Sequence, residues 1–416
     1  MRDKLAAVTQ TPVVAMIGGG QLARMTHQAA IALGQTLRVL AVSADEPAAQ
    51  VSPAVVLGSH TDLDALRQVA DGASALTFDH EHVPTELLQA LVAEGVNVAP
   101  PPSALVHAQD KLVMRRRLAE LGAPVPRYRE VASAADLDAI DELAAEVGGA
   151  LVVKASRGGY DGKGVTLTDD VAQARAAAEG YLADGVAVLV EEKVAMRREL
   201  AALVARSPFG QGAAWPVVHT VQEDGICVEV IAPAAQLDSA VATSAEQLAL
   251  RIADELGVVG VLAVELFETF DEERGVGLVV NELAMRPHNS GHWTMDGAST
   301  SQFEQHLRAV LDYPLGSTAP LAPVTVMANV LGAPTLPEMS MDERLHHLFG
   351  RLPEARVHLY GKGERPGRKI GHVNIVGAPG GSLDDEDYVA DVRERATRAA
   401  HWLSHAEWTD GWSGHE

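Results

Sequence analysis

Residues 12–17 form a short apolar run that stops at three consecutive glycines, Gly18-Gly19-Gly20. The chain then resumes as a stretch, 21–33, in which Leu22, Met25, Ala29, Ala30 and Leu33 recur at helical spacing. Strand, glycine turn and amphipathic helix in that order commit the chain to opening as a nucleotide-type α/β unit with a parallel sheet. Further strands are predicted at 38–42, 55–57 and 75–78, with helices at 62–70 and 86–94. A strand at 96–99 ends on Pro100-Pro101-Pro102, and consecutive prolines continue neither a helix nor a central strand. This triplet is expected to close a Rossmann-like N-terminal domain, 1–102.

At 416 residues the chain has room for two or three domains. A charged, periodic helix at 110–121 ends at Gly122, a suitable C-terminal cap. From residue 151 the pattern changes to short strands (151–154, 165–167, 188–192, 201–205) and an alanine-rich helix, 170–178. Runs at 217–222 and 226–231 flank Asp224-Gly225 and read as a hairpin. A helix at 244–256, a strand pair at 260–270 and 277–281, a helix at 302–311 and a linker at 316–323 follow. The last stretch carries strands at 325–330, 357–360 and 372–376, a helix near 341–348 and a closing helix, 386–404. A loose tail is expected after Glu407. The expected division is 1–102, 103–316 with a flexible lid at about 125–195, and a small β-rich unit with its tail, 317–416. The fold class is mixed α/β and α+β.

Lys and Arg number 33 against 56 Asp and Glu, a net charge of −23. Such a chain is poorly suited to wrapping nucleic acid or lying on an anionic membrane, and an anionic ligand must be held by a local basic cluster. No apolar run approaches the roughly 20 residues of a membrane span. The first residues lack a long apolar stretch, and Cys227 is the lone cysteine, which excludes a disulfide framework. A cytoplasmic protein is the expectation.

Four stretches carry candidate chemistry. The first joins two predicted strands and holds Lys154, Arg157, Gly158, Gly159, Tyr160, Asp161, Gly162, Lys163 and Gly164. Four glycines flanked by three cations exceed the needs of a hairpin and suit a lid that cradles phosphates. The second is Glu191-Glu192-Lys193-Val194, at the end of an apolar strand. It either runs into solvent or reads an adenine edge through main-chain groups, with Glu191 or Glu199 at a ribose hydroxyl. The third is the pair Glu265 and Glu282, each within an apolar strand, where an unpaired carboxylate would cost several kcal/mol. A turn near 271–277 brings both onto one face of a hairpin. With Asn289 they would supply hard oxygen ligands for Mg²⁺. The following loop adds Arg286, suited to an oxyanion, and His288. The fourth is Lys362, Arg365, Arg368 and Lys369 among glycines, a local reversal of sign that matches a phosphate monoester. The histidines at 288, 292 and 306 lack zinc spacing.

Together these segments resemble the ATP-grasp superfamily and, within it, the N5-carboxyaminoimidazole ribonucleotide synthase family. The resemblance runs over roughly 12–380 and is strongest at 18–25, 157–164, 281–293 with 301–306, and 368–372. It implies an ATP-dependent ligase that makes carboxyphosphate from bicarbonate and carboxylates the exocyclic amine of 5-aminoimidazole ribonucleotide. By residue match, Lys111, Lys154, Glu191, Glu192, Val194 and Glu199 would surround ATP, and 158–164 would close over its phosphates. Glu265 and Glu282 would hold magnesium. Gln21, Glu81, Tyr160, Asp161, Arg286 and His288 would face the ribonucleotide or the bicarbonate-derived group, with Lys163 and Asn289 beside them. Lys362, Arg368 and Lys369 would take the ribonucleotide phosphate. A homodimer is implied as well. The chain departs from the family pattern at Ala23, at Ser156, at Asp79-His80-Glu81-His82 and in the adenine stretch 192–196. Other readings of the same residues are a formate-using or biotin-linked ligase, an NAD-dependent dehydrogenase built on 18–23, and a nucleotide-binding regulator.

Overall fold

A computed structural model describes residues 10–158, 164–272 and 275–412. Strands β1 (Val13–Ile17), β2 (Thr36–Ala41), β3 (Ala54–Leu57) and β4 (Ala75–Phe78) form a parallel sheet in the order β3-β2-β1-β4. The central strand is apolar at every position because both faces are covered: Ala15 and Ile17 face one core, Val14 and Met16 the other. The second core is closed by Leu307 and Val310 of the helix Gln302–Val310, so distant parts of the chain pack on this sheet. The strand expected at 96–99 is reduced to one parallel bridge, Leu76 to Val98. The proline triplet does not bar a helix either: Pro102 opens the helix Pro102–Gln109, at a position where the missing N–H would have no helical partner.

Strands β5 (Tyr128–Val131), β6 (Leu151–Ala155), β7 (Val165–Thr168) and β8 (Val188–Glu192) form an antiparallel lid sheet, β5-β8-β6-β7. It packs on the helices Asp138–Val147 and Val171–Ala183 with its own core, including Val131, Leu143, Val153 and Val190. The first of these helices was absent from the reading of the sequence, and the second runs beyond the predicted end at residue 178.

Among the described residues the central sheet has nine strands: β9 (Met196–Arg206), β10 (Gly212–Ala214), β11 (Val218–Glu223), β12 (Ile226–Ala232), β13 (Gly260–Asp271), β14 (Gly275–Ala284), β15 (Thr325–Leu331), β16 (Arg356–Leu359) and β17 (Lys369–Val376). Its order is β14-β13-β9-β11-β12-β15-β17-β16, with β10 on β9. The hairpin turn Asp224-Gly225 has positive φ at both residues, 50° and 76°, as a tight twisted hairpin requires. The C-terminal strands therefore extend the same ladder that carries Glu265 and Glu282. The tail is not loose through Trp408, which is buried and stacks on Trp402 at 4.4 Å between ring centroids.

Candidate active site

The helix Lys111–Glu120 begins where Asp110 caps it, accepting from Leu112 N at 2.9 Å and Val113 N at 3.1 Å. This fixes Lys111 at the first helical position, and its side chain pairs with Glu282 on β14. On the hairpin, Glu265 and Glu282 are direct cross-strand partners, so alternation places both carboxylates on one face. Glu265 Oε1 lies 3.2 Å from His288 Nε2. Burial pushes the Glu265 carboxyl up, but the His288 hydrogen bond and the charges of His288, Lys111 and Lys154 outweigh it and hold the group below its ordinary value. Lys111 is pushed down to about 8, first by burial and then by Lys154. Glu199 is pushed up to about 7 by burial and by the negative charge of Glu265.

Lys154, on the lid strand β6, points its ammonium at Glu191 Oε2 (2.8 Å) and Asn281 Oδ1 (3.0 Å). Glu191 is only 1% exposed, because Arg115 Nε closes on its other oxygen at 2.5 Å. It is thus held between two cations rather than running into solvent. Glu192 is also tied, accepting from Arg127 N at 2.8 Å and Arg127 Nε at 2.9 Å. Val194 is half-buried, just past the end of β8.

A cleft of about 1230 Å³ runs between these elements and the N-terminal sheet. Lys111, Gly158, Glu265 and Glu282 line it together with Gln21, Glu81, Arg286 and His288, and Glu265 and His288 meet within its wall. Lys362, Arg368 and Lys369 close one end, beside Asn289. Lys154, Glu191, Glu192, Val194 and Glu199 do not line it. Gly164 immediately precedes β7, and its carbonyl accepts from Ala155 N at 2.9 Å. Gly159, Tyr160, Asp161, Gly162 and Lys163 lie outside the described residues.

The glycine turn does not present a free helix terminus. Gly20 N donates to the carboxylate of Asp79, so the chain's own anion takes the place a dinucleotide pyrophosphate would need. Burial pushes Asp79 up to about 6, opposed by Arg286 and by the Gly20 N–H. Arg286 Nε binds Glu81 Oε2 at 2.8 Å, and Lys362 reaches Gln21. The basic turn 361–368 is held by main-chain bonds on either side of Gly332: Gly332 N to Arg368 O at 2.9 Å and Gly367 N to Gly332 O at 2.8 Å. A Cβ at Gly332 would sit 2.1 Å from Arg365 O, so the close approach depends on glycine.

His288 is set by a residue that sequence reasoning assigned no role. Gln302, fully buried, accepts from His288 N at 2.8 Å and donates to His288 O at 2.8 Å. Its amide also meets His292 Nδ1 at 3.0 Å. Asn289, which follows His288 on the same loop, exchanges amide hydrogen bonds with Asn329 at 3.1 and 2.8 Å. His306 bonds Thr77 Oγ1 at 2.7 Å and accepts from Val261 N at 3.1 Å. Gln302 and His292 sat in segments with a strong resemblance, whereas Arg115 carried no signal beyond its charge and Asp79 showed only as a departure from the family pattern.

Three family models match the chain: a ribonucleotide synthetase preATP-grasp domain over 12–109, an ATP-grasp domain over 116–303, and a phosphoribosylaminoimidazole carboxylase C-terminal domain over 325–385. The N5-carboxyaminoimidazole ribonucleotide synthase of Mycobacterium leprae is 70% identical over 411 residues, 97% of this chain and 92% of that protein. The chain belongs to the N5-carboxyaminoimidazole ribonucleotide synthase family. Its fold is the family's ATP-grasp fold. The synthetase of Thermus thermophilus superposes with a TM-score of 0.78 at 35% identity, covering 96% of this chain and all (100%) of that one. A synthase from Aspergillus clavatus, solved with ADP and 5-aminoimidazole ribonucleotide, gives 0.78 at 30% identity over 92% of this chain and 98% of that one.

Proposed function

We propose that ATP lies under the lid sheet, its phosphates reaching into the cleft at Glu265 and Glu282 and its adenosine beyond the cleft lining, with 5-aminoimidazole ribonucleotide against the N-terminal sheet and bicarbonate between them. The chain is an ATP-dependent carbon–nitrogen ligase of purine biosynthesis. It carboxylates the exocyclic amine of 5-aminoimidazole ribonucleotide to N5-carboxyaminoimidazole ribonucleotide, with conversion of ATP to ADP and phosphate. The residue assignment rests on one observation above all: Glu265 and Glu282 face each other across the hairpin, with Lys111 at hand from a separate helix.

Bicarbonate oxygen attacks the γ-phosphorus, the bond to the departing ADP oxygen breaks, and carboxyphosphate forms. The amine then attacks the carboxyl carbon, the carbon–oxygen bond to phosphate breaks, and the amine loses a proton. Lys111 and Lys154 hold the nucleotide phosphates, and the buried Glu191 holds Lys154. Glu192, Val194 and Glu199 border the adenosine, with Glu199 at a ribose hydroxyl. Glu265 and Glu282 offer hard oxygens, which fits Mg²⁺, an ion that takes one or two carboxylates and completes its shell with phosphate oxygens and water. When bound, Mg²⁺ neutralises charge that builds on the β- and γ-phosphates. The fit needs only that pair: among the described residues no group of three or more His, Cys, Asp or Glu side chains is arranged to hold an ion by itself.

Arg286 and His288 orient the carboxyl group, and Tyr160, Asp161 and Lys163 cover it from the glycine loop. Carboxyphosphate is short-lived in water, which is the chemical reason for a lid and for a second substrate already in place. Gln21 and Glu81 contact the aminoimidazole side, and Lys362, Arg368 and Lys369 take its phosphate. We propose further that the enzyme acts in the cytoplasm as a homodimer.

The test is ADP release from the purified protein with ATP and magnesium, omitting bicarbonate and the aminoimidazole ribonucleotide in turn. Full release is expected only with both present. Release at an unchanged rate without bicarbonate would overturn the reading.

A further inference from the structure

We infer that Arg115 is a positioning residue for phosphoryl transfer, fixing where Lys154 of the lid stands relative to Glu282 of the central sheet. The inference rests on the ATP-binding reading above and concerns a side chain placed away from the reacting groups. Arg115 is fully buried. Its guanidinium is engaged from three sides: Nε lies 2.5 Å from Glu191 Oε1, Nη1 donates to Val280 O at 2.8 Å, and Nη2 donates to Asn281 O at 2.8 Å. Lys154 Nζ meets the second Glu191 oxygen at 2.8 Å and Asn281 Oδ1 at 3.0 Å. The circuit Arg115–Glu191–Lys154–Asn281 therefore closes on itself. It joins the helix Lys111–Glu120, the lid strands β6 and β8, and β14 one residue before Glu282.

The same helix meets the lid a second time. Lys111 N donates to Ser156 O at 2.9 Å, and Arg157 Nε binds the capping Asp110 at 2.9 Å. Lys111 and Arg115 are one turn apart, so one helical face presents Lys111 to Glu282 and Arg115 to the carbonyls just before it. The lid has a core of its own, so its seat on the rest of the molecule depends on polar contacts of this kind. A guanidinium imposes a planar fork, whereas an ammonium can satisfy one partner in many orientations. Two carbonyls in succession, one to each terminal nitrogen, leave that fork one arrangement, and the Glu191 carboxylate beside it balances its charge. Reaction rates are sensitive to such placement, since a shift of about 1 Å in a positioned group costs on the order of a hundredfold.

The test compares Arg115→Met and Arg115→Lys with the wild type, per folded molecule, by steady-state kinetics in each substrate and by calorimetry with ADP. Arg115→Met is expected to lower kcat by about tenfold or more and to raise KM for ATP and Kd for ADP. KM for the aminoimidazole ribonucleotide should stay within about twofold, because its pocket lies on the far side of the cleft. Arg115→Lys, which keeps a charge beside Glu191 but cannot span both carbonyls, should fall between the two. If Arg115→Met does not fold, Arg115→Lys decides alone: a lowered kcat with an unchanged KM for the ribonucleotide supports the inference, and wild-type kcat overturns it. Wild-type kcat and ATP KM in folded Arg115→Met, or equal shifts in KM for both substrates, also overturn it. Failure of the ligase reading would show separately, as wild-type protein without bicarbonate-dependent ADP release.

Discussion

Two carboxylates on one strand pair and two lysines from different elements carry the proposed chemistry at the scale of single residues. Glu282→Gln should reduce ADP release to background while the protein stays folded. The Lys111 pair it removes is partly exposed, with 39% of the Glu282 side chain accessible, so its contribution to stability is within about 1 kcal/mol. Activity and a thermal melt on the same sample check both halves, and retained turnover would remove Glu282 from the phosphate site. Lys111 gives a pH signature. Its ammonium is held down to about 8, so its attraction for phosphate should fade as pH passes that value, and KM for ATP should rise. Lys111→Arg, which stays charged, should move this rise out of range. The stability effect has the opposite sense: from about 8 to the ordinary lysine value the unfolded chain binds more protons than the folded one, so stability from this group increases with pH. Urea midpoints for the wild type and Lys111→Met across that window would show the slope and its loss.

At the scale of elements, the site depends on how closely loops lie against strands. Gly291 sits under Gln302, and a Cβ there would lie 2.4 Å from Gln302 Oε1 and 2.7 Å from Leu203 Cδ2. Gly291→Ala should push the amide off the His288 main chain, lower kcat, and destabilise the fold by about 1–3 kcal/mol, as overpacking does. An unchanged kcat would show that the clamp on His288 is dispensable. Trp408→Ala should cost about 3 kcal/mol, because the ring is buried against Trp402 and receives the Arg351 guanidinium 4.3 Å from its centroid. Denaturant melts would measure it, and an effect under about 0.5 kcal/mol would mean that the tail is indeed loose.

The same closeness explains what could be read from residue order. The hairpin that pairs Glu265 with Glu282 was legible because alternation and a turn are local patterns. The clamp was not, since Gln302 meets His288 across a separation of 14 residues, broken into short turns that no single period spans. Arg115 was hidden for a stronger reason: its carbonyl partners lie 165 and 166 residues away and have no side-chain signature. Asp79 showed only as a departure from a family pattern, although it satisfies the helix terminus at the glycine turn. The strand read at 96–99 failed because apolar content implied a full ladder where the fold supplies a single bridge.

For the molecule as a whole, the net charge of −23 repels each of the anionic substrates, and the turn at 361–369 reverses that field locally. Lys369→Ala should raise KM for the aminoimidazole ribonucleotide by about tenfold, roughly 1.4 kcal/mol, and leave KM for ATP unchanged. The loss should shrink in higher salt, where exposed charges act over shorter distances. Initial rates at two ionic strengths would check both points, and equal effects on the two substrates would refute the assignment. Because β14 and β17 belong to one continuous ladder, the proposed donor and acceptor ends of the cleft are registered to each other by backbone pairing. A one-residue slip in any strand between them would turn its side chains to the opposite face. Evolution, or an engineer, can therefore retune which acceptor is taken by exchanging the basic turn, but cannot lengthen the gap between the two ends without rebuilding the scaffold that spans it.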